Sequence, residues 1–113
     1  MTERRAHRRY ELLAQVQVSR QSVCHVMATV NVSRGGLFLD GDPRDYPDLM
    51  VGTDVELLIF DADAPEEEAV TLAAVVVRVE TDGQLGFGLQ FTNVDAGSLV
   101  RFHRFLRAKG VPV

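Results

Sequence analysis

The sequence predicts a mainly β fold, a small antiparallel barrel plugged or flanked by one C-terminal helix. Three observations carry that prediction. Six short segments alternate apolar with polar side chains or are rich in β-branched residues. Glycine, proline, asparagine and aspartate punctuate the gaps between them. Only residues 96–109 carry a clear helical period.

The elements follow in order. Residues 1–10 are polar and charged, and read as a flexible arginine-rich arm ahead of a barrel domain spanning 11–113. From Leu12 to Arg20, the side chains of Leu12, Ala14, Val16 and Val18 share one side, as in a half-buried strand. Val23 to Val32 alternates less cleanly, but its β-branched content supports a second strand. Asn31 to Gly36 is a turn whose glycines allow positive φ or a close approach of ligand to backbone. Leu37 to Leu39 is a short third strand. Residues 40–53 hold two prolines and several aspartates, which exclude a regular element there. Asp54 to Phe60 is a fourth strand, with Val55, Leu57 and Ile59 on one face. Asp61 to Glu68 is an acidic hairpin loop, its Glu66-Glu67-Glu68 run read as a solvated tip. Val70 to Glu80 and Gln84 to Phe91 are the last two strands, joined at an Asp82-Gly83 tight turn. Gly86 and Gly88 lie on one face of the last strand, marking a sharp bend or a bare patch where something packs closely. Asp95 is placed to cap a helix whose stripe is Leu99, Phe102, Phe105 and Leu106. Arg107 and Lys109 suit the negative end of its dipole, and Gly110 and Pro112 mark its stop.

Composition sets bounds on function. At 113 residues and 46% hydrophobic content, the chain is one domain able to bury a core without metals or disulfides. A single cysteine, Cys24, allows no intrachain disulfide and reads as a small core or sheet residue. No apolar run reaches membrane-spanning length and no signal peptide opens the chain, so the cytoplasm is the expected compartment. The net charge of −4 is unevenly spread. Asp40 to Asp82 holds thirteen acids against two arginines, Arg44 and Arg78, while both ends are basic. That distribution favours a local anion site over a broad basic surface for a nucleic-acid polymer. No nucleophile–base pair, paired carboxylates or metal-ligand spacing appears, and no enzyme or cofactor is expected. His7, His25 and His103 have no ligand set around them in the sequence; His103 is expected to be an exposed helix residue.

The chemistry is concentrated in two places. Arg4, Arg5, Arg8 and Arg9 fall within the first nine residues. A turn, Asn31-Val32-Ser33-Arg34-Gly35-Gly36, follows about twenty residues later. Guanidinium groups bind phosphate bidentately and stack on purines, and the turn offers amide, hydroxyl and backbone donors. Taken alone, the arm also reads as a solvated tail or a DNA minor-groove arm. The lack of a recognition helix and the acidic remainder weigh against DNA. The turn alone also reads as an Asx/ST turn capping its own backbone, and the two readings are compatible.

The two motifs together resemble the PilZ family of bacterial cyclic diguanylate (cyclic di-GMP) receptors. That family's pattern is Arg-x-x-x-Arg, then Asp or Asn-x-Ser-x-x-Gly; here it reads Arg5-Ala-His-Arg-Arg9 and Asn31-Val-Ser-Arg-Gly-Gly36. The resemblance covers essentially the whole chain and implies a six-stranded antiparallel PilZ-type β-barrel with a C-terminal helix and a flexible N-terminal arm. It implies that Arg5 and Arg9 clamp guanine edges and phosphate. In relatives, the residue in the place of Arg4 influences whether one ligand or a stacked pair binds; an arginine there leans towards the pair and makes Arg4 a contact. Arg8 and Arg34 are secondary candidates, and Arg34 is free to point to solvent or to phosphate. Asn31 would place its amide on a guanine edge, and Ser33 would donate to phosphate or base. Gly36 would keep a side chain out of the ligand's way. Many relatives carry Asp at the position of Asn31; an amide oxygen accepts more weakly, so the implied affinity is reduced at worst. The implied mechanism is a sensor whose arm orders on binding, at roughly 1–2 kcal/mol of backbone entropy per residue, and signals through a protein partner. A stacked ligand pair could bridge two protomers, so monomer and ligand-bridged dimer both stand. The alternative is a PilZ-fold interaction adaptor that does not bind nucleotide.

Overall fold

The computed structural model describes residues 10–12, 14–60, 69–92 and 95–111. The arm arginines Arg4, Arg5, Arg8 and Arg9, His7 and the acidic loop 61–68 lie outside the described residues. The strands are β1 (Tyr10–Glu11), β2 (Gln15–Arg20), β3 (Val23–Val32), β4 (Gly36–Asp40), β5 (Asp54–Ile59), β6 (Val70–Glu80) and β7 (Gly86–Thr92), followed by helix α1 (Ala96–Ala108). The strand order is β1-β3-β2-β5-β6-β7-β4, and an added β3–β4 pairing closes the ring. β2 to β7 therefore form a closed six-stranded antiparallel barrel, which leaves no free sheet edge among them.

Alternation decides what the barrel buries. Val16 and Val18 on β2, Leu57 and Ile59 on β5, and Leu72, Ala74 and Val76 on β6 all face inward and are nearly fully buried. Leu99 is only half-buried on α1, and Ser98 takes its place on the buried face beside Phe102, Phe105 and Leu106. Phe102 is fully buried and meets Phe91 edge-on at 5.1 Å, so the helix stripe joins the single barrel core. The Asp95 carboxylate accepts from Ser98 N at 2.8 Å and Ser98 Oγ at 3.0 Å, which satisfies a helix-end donor. At the other end Gly110 adopts φ +84°, Gly110 N donates to Arg107 O, and Val111 N donates to Leu106 O. That is a Schellman stop, and buried Val111 supplies its apolar contact.

Three elements differ from the sequence reading. The expected first strand is split into β1 and β2, and between them the Thr29 hydroxyl accepts from Ala14 N and donates to Leu12 O. Tyr10, read from the sequence as the last residue of the arm, pairs with Val32. The 40–53 connection contains one 3₁₀ turn, Pro43–Asp45, which Asp42 caps by accepting from Arg44 N at 3.0 Å. Proline at its first position supplies the required φ. The same connection is held against β3, where His25 Nε2 lies 3.0 Å from both Asp48 oxygens. Tyr46 meets His25 edge-on at 4.9 Å and Phe87 at 6.0 Å. His25 is thus a structural strand histidine, while Cys24 beside it is an exposed sheet residue and not part of the core. No helix among the described residues is long and apolar enough to cross a membrane.

Candidate functional site

The site is built where β3, β4 and β1 meet. β1 pairs with β3 in the register Tyr10↔Val32 and Glu11↔Asn31. On the other edge of β3, Asn31 pairs with Phe38 and Val32 with Leu37 of β4. The chain that follows Arg9 therefore enters the sheet directly beside Asn31. Arg9 is covalently next to Tyr10, and Arg5 is five residues from it, a reach of at most about 18 Å.

The turn between β3 and β4 closes on itself. Ser33 N donates to Gly36 O at 2.8 Å, and Gly35 N donates to Ser33 Oγ at 3.2 Å. Ser33 Oγ in turn donates to Gly36 O at 3.4 Å, so its hydroxyl caps the local backbone. Phe91 N donates to Gly35 O at 2.9 Å and docks the turn on β7. Neither Gly35 nor Gly36 has positive φ. A Cβ on Gly36 would lie 2.0 Å from Leu89 O, so this glycine is required by the approach of β7. Arg34 is exposed at the turn's tip.

A second feature shares this face. Opposed residues Asn31, Phe38, Gly88 and Arg78 run across β3, β4, β7 and β6 in one row. Phe38 lies between two core-facing leucines on the opposite face, yet only 3% of it is exposed. Its ring packs on Gly86, where a Cβ would come within 2.7 Å of it. The Arg78 guanidinium sits 5.5 Å from the ring centroid, and its stem crosses Gly88 at 3.3 Å from a notional Cβ. Glu80 holds Arg78 Nε at 2.8 Å. The two glycines thus mark a bare patch filled by Phe38 and Arg78. Sequence reasoning missed Arg78 as a site residue; its signal was an arginine in an apolar strand, within an acidic stretch, opposite a glycine pair.

The structure brings Asn31, Ser33, Arg34 and Gly36 together with Phe38 and Arg78. Helix α1 adds His103, which is half-buried and not exposed as expected. Its Nε2 is buried without a hydrogen-bond partner among the described residues. Burial, reinforced by the charges of Arg34 and Arg107, holds its pKa below the usual 6.5. Among the described residues, no group of three or more His, Cys, Asp or Glu could hold a metal ion.

Comparison with known proteins defines the family. The PilZ domain model matches residues 3–108. The chain belongs to the PilZ domain family. The fold agrees with solved PilZ structures. The PilZ domain of CeSA from a cellulose-synthesizing bacterium aligns with a TM-score of 0.66 at 20% identity, over 88% of this chain and 98% of that one. The PilZ domain of Escherichia coli YcgR, solved with c-di-GMP, gives 0.71 at 13% identity over 94% and 91%. The Bacillus subtilis inhibitor of motility MotI/DgrA gives 0.69 at 21% identity, covering 96% of this chain, which spans 52% of that protein's length. Comparison of the sequence with curated proteins gave no match.

Two outcomes test this geometry. Gly36→Ala forces apart the β4–β7 backbones, and urea denaturation should show a loss of about 3 kcal/mol or more. His103 binds a proton more readily unfolded than folded. Its stabilising contribution is therefore full above pH 6.5 and is lost as pH falls from there through the lowered folded value. His103→Leu should remove that component, flattening the melting temperature against pH below 6.5 relative to the parent protein.

Proposed function

We propose that this PilZ domain is a cyclic di-GMP receptor whose N-terminal arm changes its setting on binding and signals through a protein partner. The observation that carries the reading is the β1–β3 register, Tyr10↔Val32 and Glu11↔Asn31, which leads the Arg5-x-x-x-Arg9 arm into the sheet beside the Asn31-x-Ser-x-x-Gly36 turn. Tyr10, the residue after the first motif, thereby pairs with Val32 inside the second. The YcgR PilZ domain was solved with c-di-GMP, and Klebsiella pneumoniae MrkH as a c-di-GMP complex. MrkH aligns at 17% identity with a TM-score of 0.70, over 93% of this chain and 52% of that one.

In this reading Arg5 and Arg9 grip guanine edges and phosphate, with Arg4 and Arg8 adding charge. Asn31 meets a guanine edge, Arg34 supplies a cation at the turn tip, and the exposed Arg78 guanidinium, backed by the buried Phe38 ring, offers a face to a purine. Gly36 acts by fixing the turn. An arginine at position 4 favours a stacked ligand pair, which could bridge two protomers. The second reading is an adaptor that does not bind nucleotide. It draws on the turn itself, whose Ser33 and Gly36 are fully employed by the fold without a ligand.

Calorimetry separates the two. Cyclic di-GMP should bind the parent protein at micromolar affinity or tighter, with the stoichiometry giving one ligand or two. Arg5→Ala/Arg9→Ala should abolish the heat. No binding by the parent protein at high ligand concentration would overturn the receptor reading and leave the adaptor. Arg78→Ala, which removes an exposed-face guanidinium, should weaken binding by about tenfold without loss of fold, the size of one charge-assisted contact.

A further inference from the structure

We propose that Thr29 is the positioning residue that sets the arm against Asn31, acting through the backbone and without touching ligand. This rests on the receptor reading. Thr29 and Ser98 are the buried polar side chains among the described residues, and Ser98 is accounted for by the helix cap. Thr29 is 1% exposed and faces the core. Its hydroxyl accepts from Ala14 N at 3.0 Å and donates to Leu12 O. Backbone bonds flank it, from Leu12 N to Val30 O at 3.2 Å and from Thr29 N to Ala14 O at 2.9 Å. The hydroxyl therefore fills the single gap on the β3 edge shared by β1 and β2, and fixes where the chain leaves one and enters the other.

The opposite edge of β3 is irregular at the same place. Its register with β4 shifts between Thr29 and Asn31. Met27 and Thr29 face inward, and strict alternation would send Asn31 inward next. Instead Val32 is buried at 1% exposure, and Asn31 joins the outer face with Phe38. An extra residue in a strand produces this reversal. Thr29 is the last inward residue before it. One hydroxyl thus holds the exit of the arm and the strand segment that turns Asn31 outward. A valine keeps the shape but leaves Ala14 N–H and Leu12 C=O without their partner. The edge then relaxes, and β1 shifts relative to Asn31.

The test compares Thr29→Val, Thr29→Ser and a core control away from the arm, Leu57→Val, in the full chain. Amide exchange at Leu12 and Ala14 in ligand-free protein should quicken in Thr29→Val and stay at the parent rate in Thr29→Ser and Leu57→Val. Cyclic di-GMP affinity should fall by about tenfold in Thr29→Val, the scale of one buried hydrogen bond, and return with the hydroxyl in Thr29→Ser. Parent exchange rates and parent affinity in a folded Thr29→Val protein would overturn the proposal, as would an equal affinity loss in Leu57→Val. If Thr29→Val does not fold, Thr29→Ala makes the same comparison. If the parent protein binds no cyclic di-GMP, the receptor reading falls and exchange decides alone: selective quickening at Leu12 and Ala14 supports the positioning role, and its absence overturns it.

Discussion

β3 must serve three other strands, and the rest of the structure depends on how it does so. Along one edge it pairs first with β2, through Val23 to Ala28, and then with β1, through Asn31 and Val32. Along the other it pairs with β4 and so closes the barrel. A regular ten-residue strand could do this only by keeping one face inward throughout. The register shift between Thr29 and Asn31 removes that restriction, so the first part of β3 feeds the core with Met27 and Thr29 while the last part presents Asn31 outside. Barrel closure and site construction are consequences of the same irregularity.

The seam between β4 and β7 carries a matching constraint. A Cβ on Gly36 would lie 2.0 Å from Leu89 O, and one on Gly86 would lie 2.1 Å from Leu39 O. A glycine stands near each end of the pairing, at Gly36↔Gln90 and Asp40↔Gly86, and lets the partner backbone approach. Gly88, between them, leaves room for the Arg78 stem, and Phe38 covers Gly86. The bare glycine surface leaves room for an aromatic ring and the stem of an arginine. The polar turn and the stacked pair are two products of one tightly drawn seam.

Electrostatics is arranged around this face. Within the acidic stretch from Asp40 to Asp82, Asp42 pairs with Arg44 at 2.7 Å, and the His25 ring lies 3.0 Å from Asp48. The hydrogen bond from Arg44 holds the Asp42 carboxyl below its usual value. At the turn Arg34 and Arg107 are near enough to His103 to oppose its protonation.

Local chemistry made most of the fold legible. β-branched content placed Val23–Val32 and Val70–Glu80 at their observed limits, and the Asp95 cap and Gly110 stop bounded the helix, because each signal is satisfied by neighbours in sequence. The paired motifs made the family legible, since Asn31, Ser33 and Gly36 are close neighbours in the chain whatever surrounds them. Other features required the tertiary structure. The split of the first strand depends on the Thr29 hydroxyl reaching Leu12 and Ala14, fifteen to seventeen residues away in the chain. The role of Gly36 depends on Leu89, the place of Arg78 on Phe38 and Gly88, and the partial burial of His103 on how α1 docks. The sequence by itself determined which residues could form strands, caps and the paired family motifs, because those are properties of side chains and their near neighbours. Only the tertiary structure decided which face Asn31 presents and that β1 pairs beside it, because a one-residue bulge reverses a strand's faces without changing its composition.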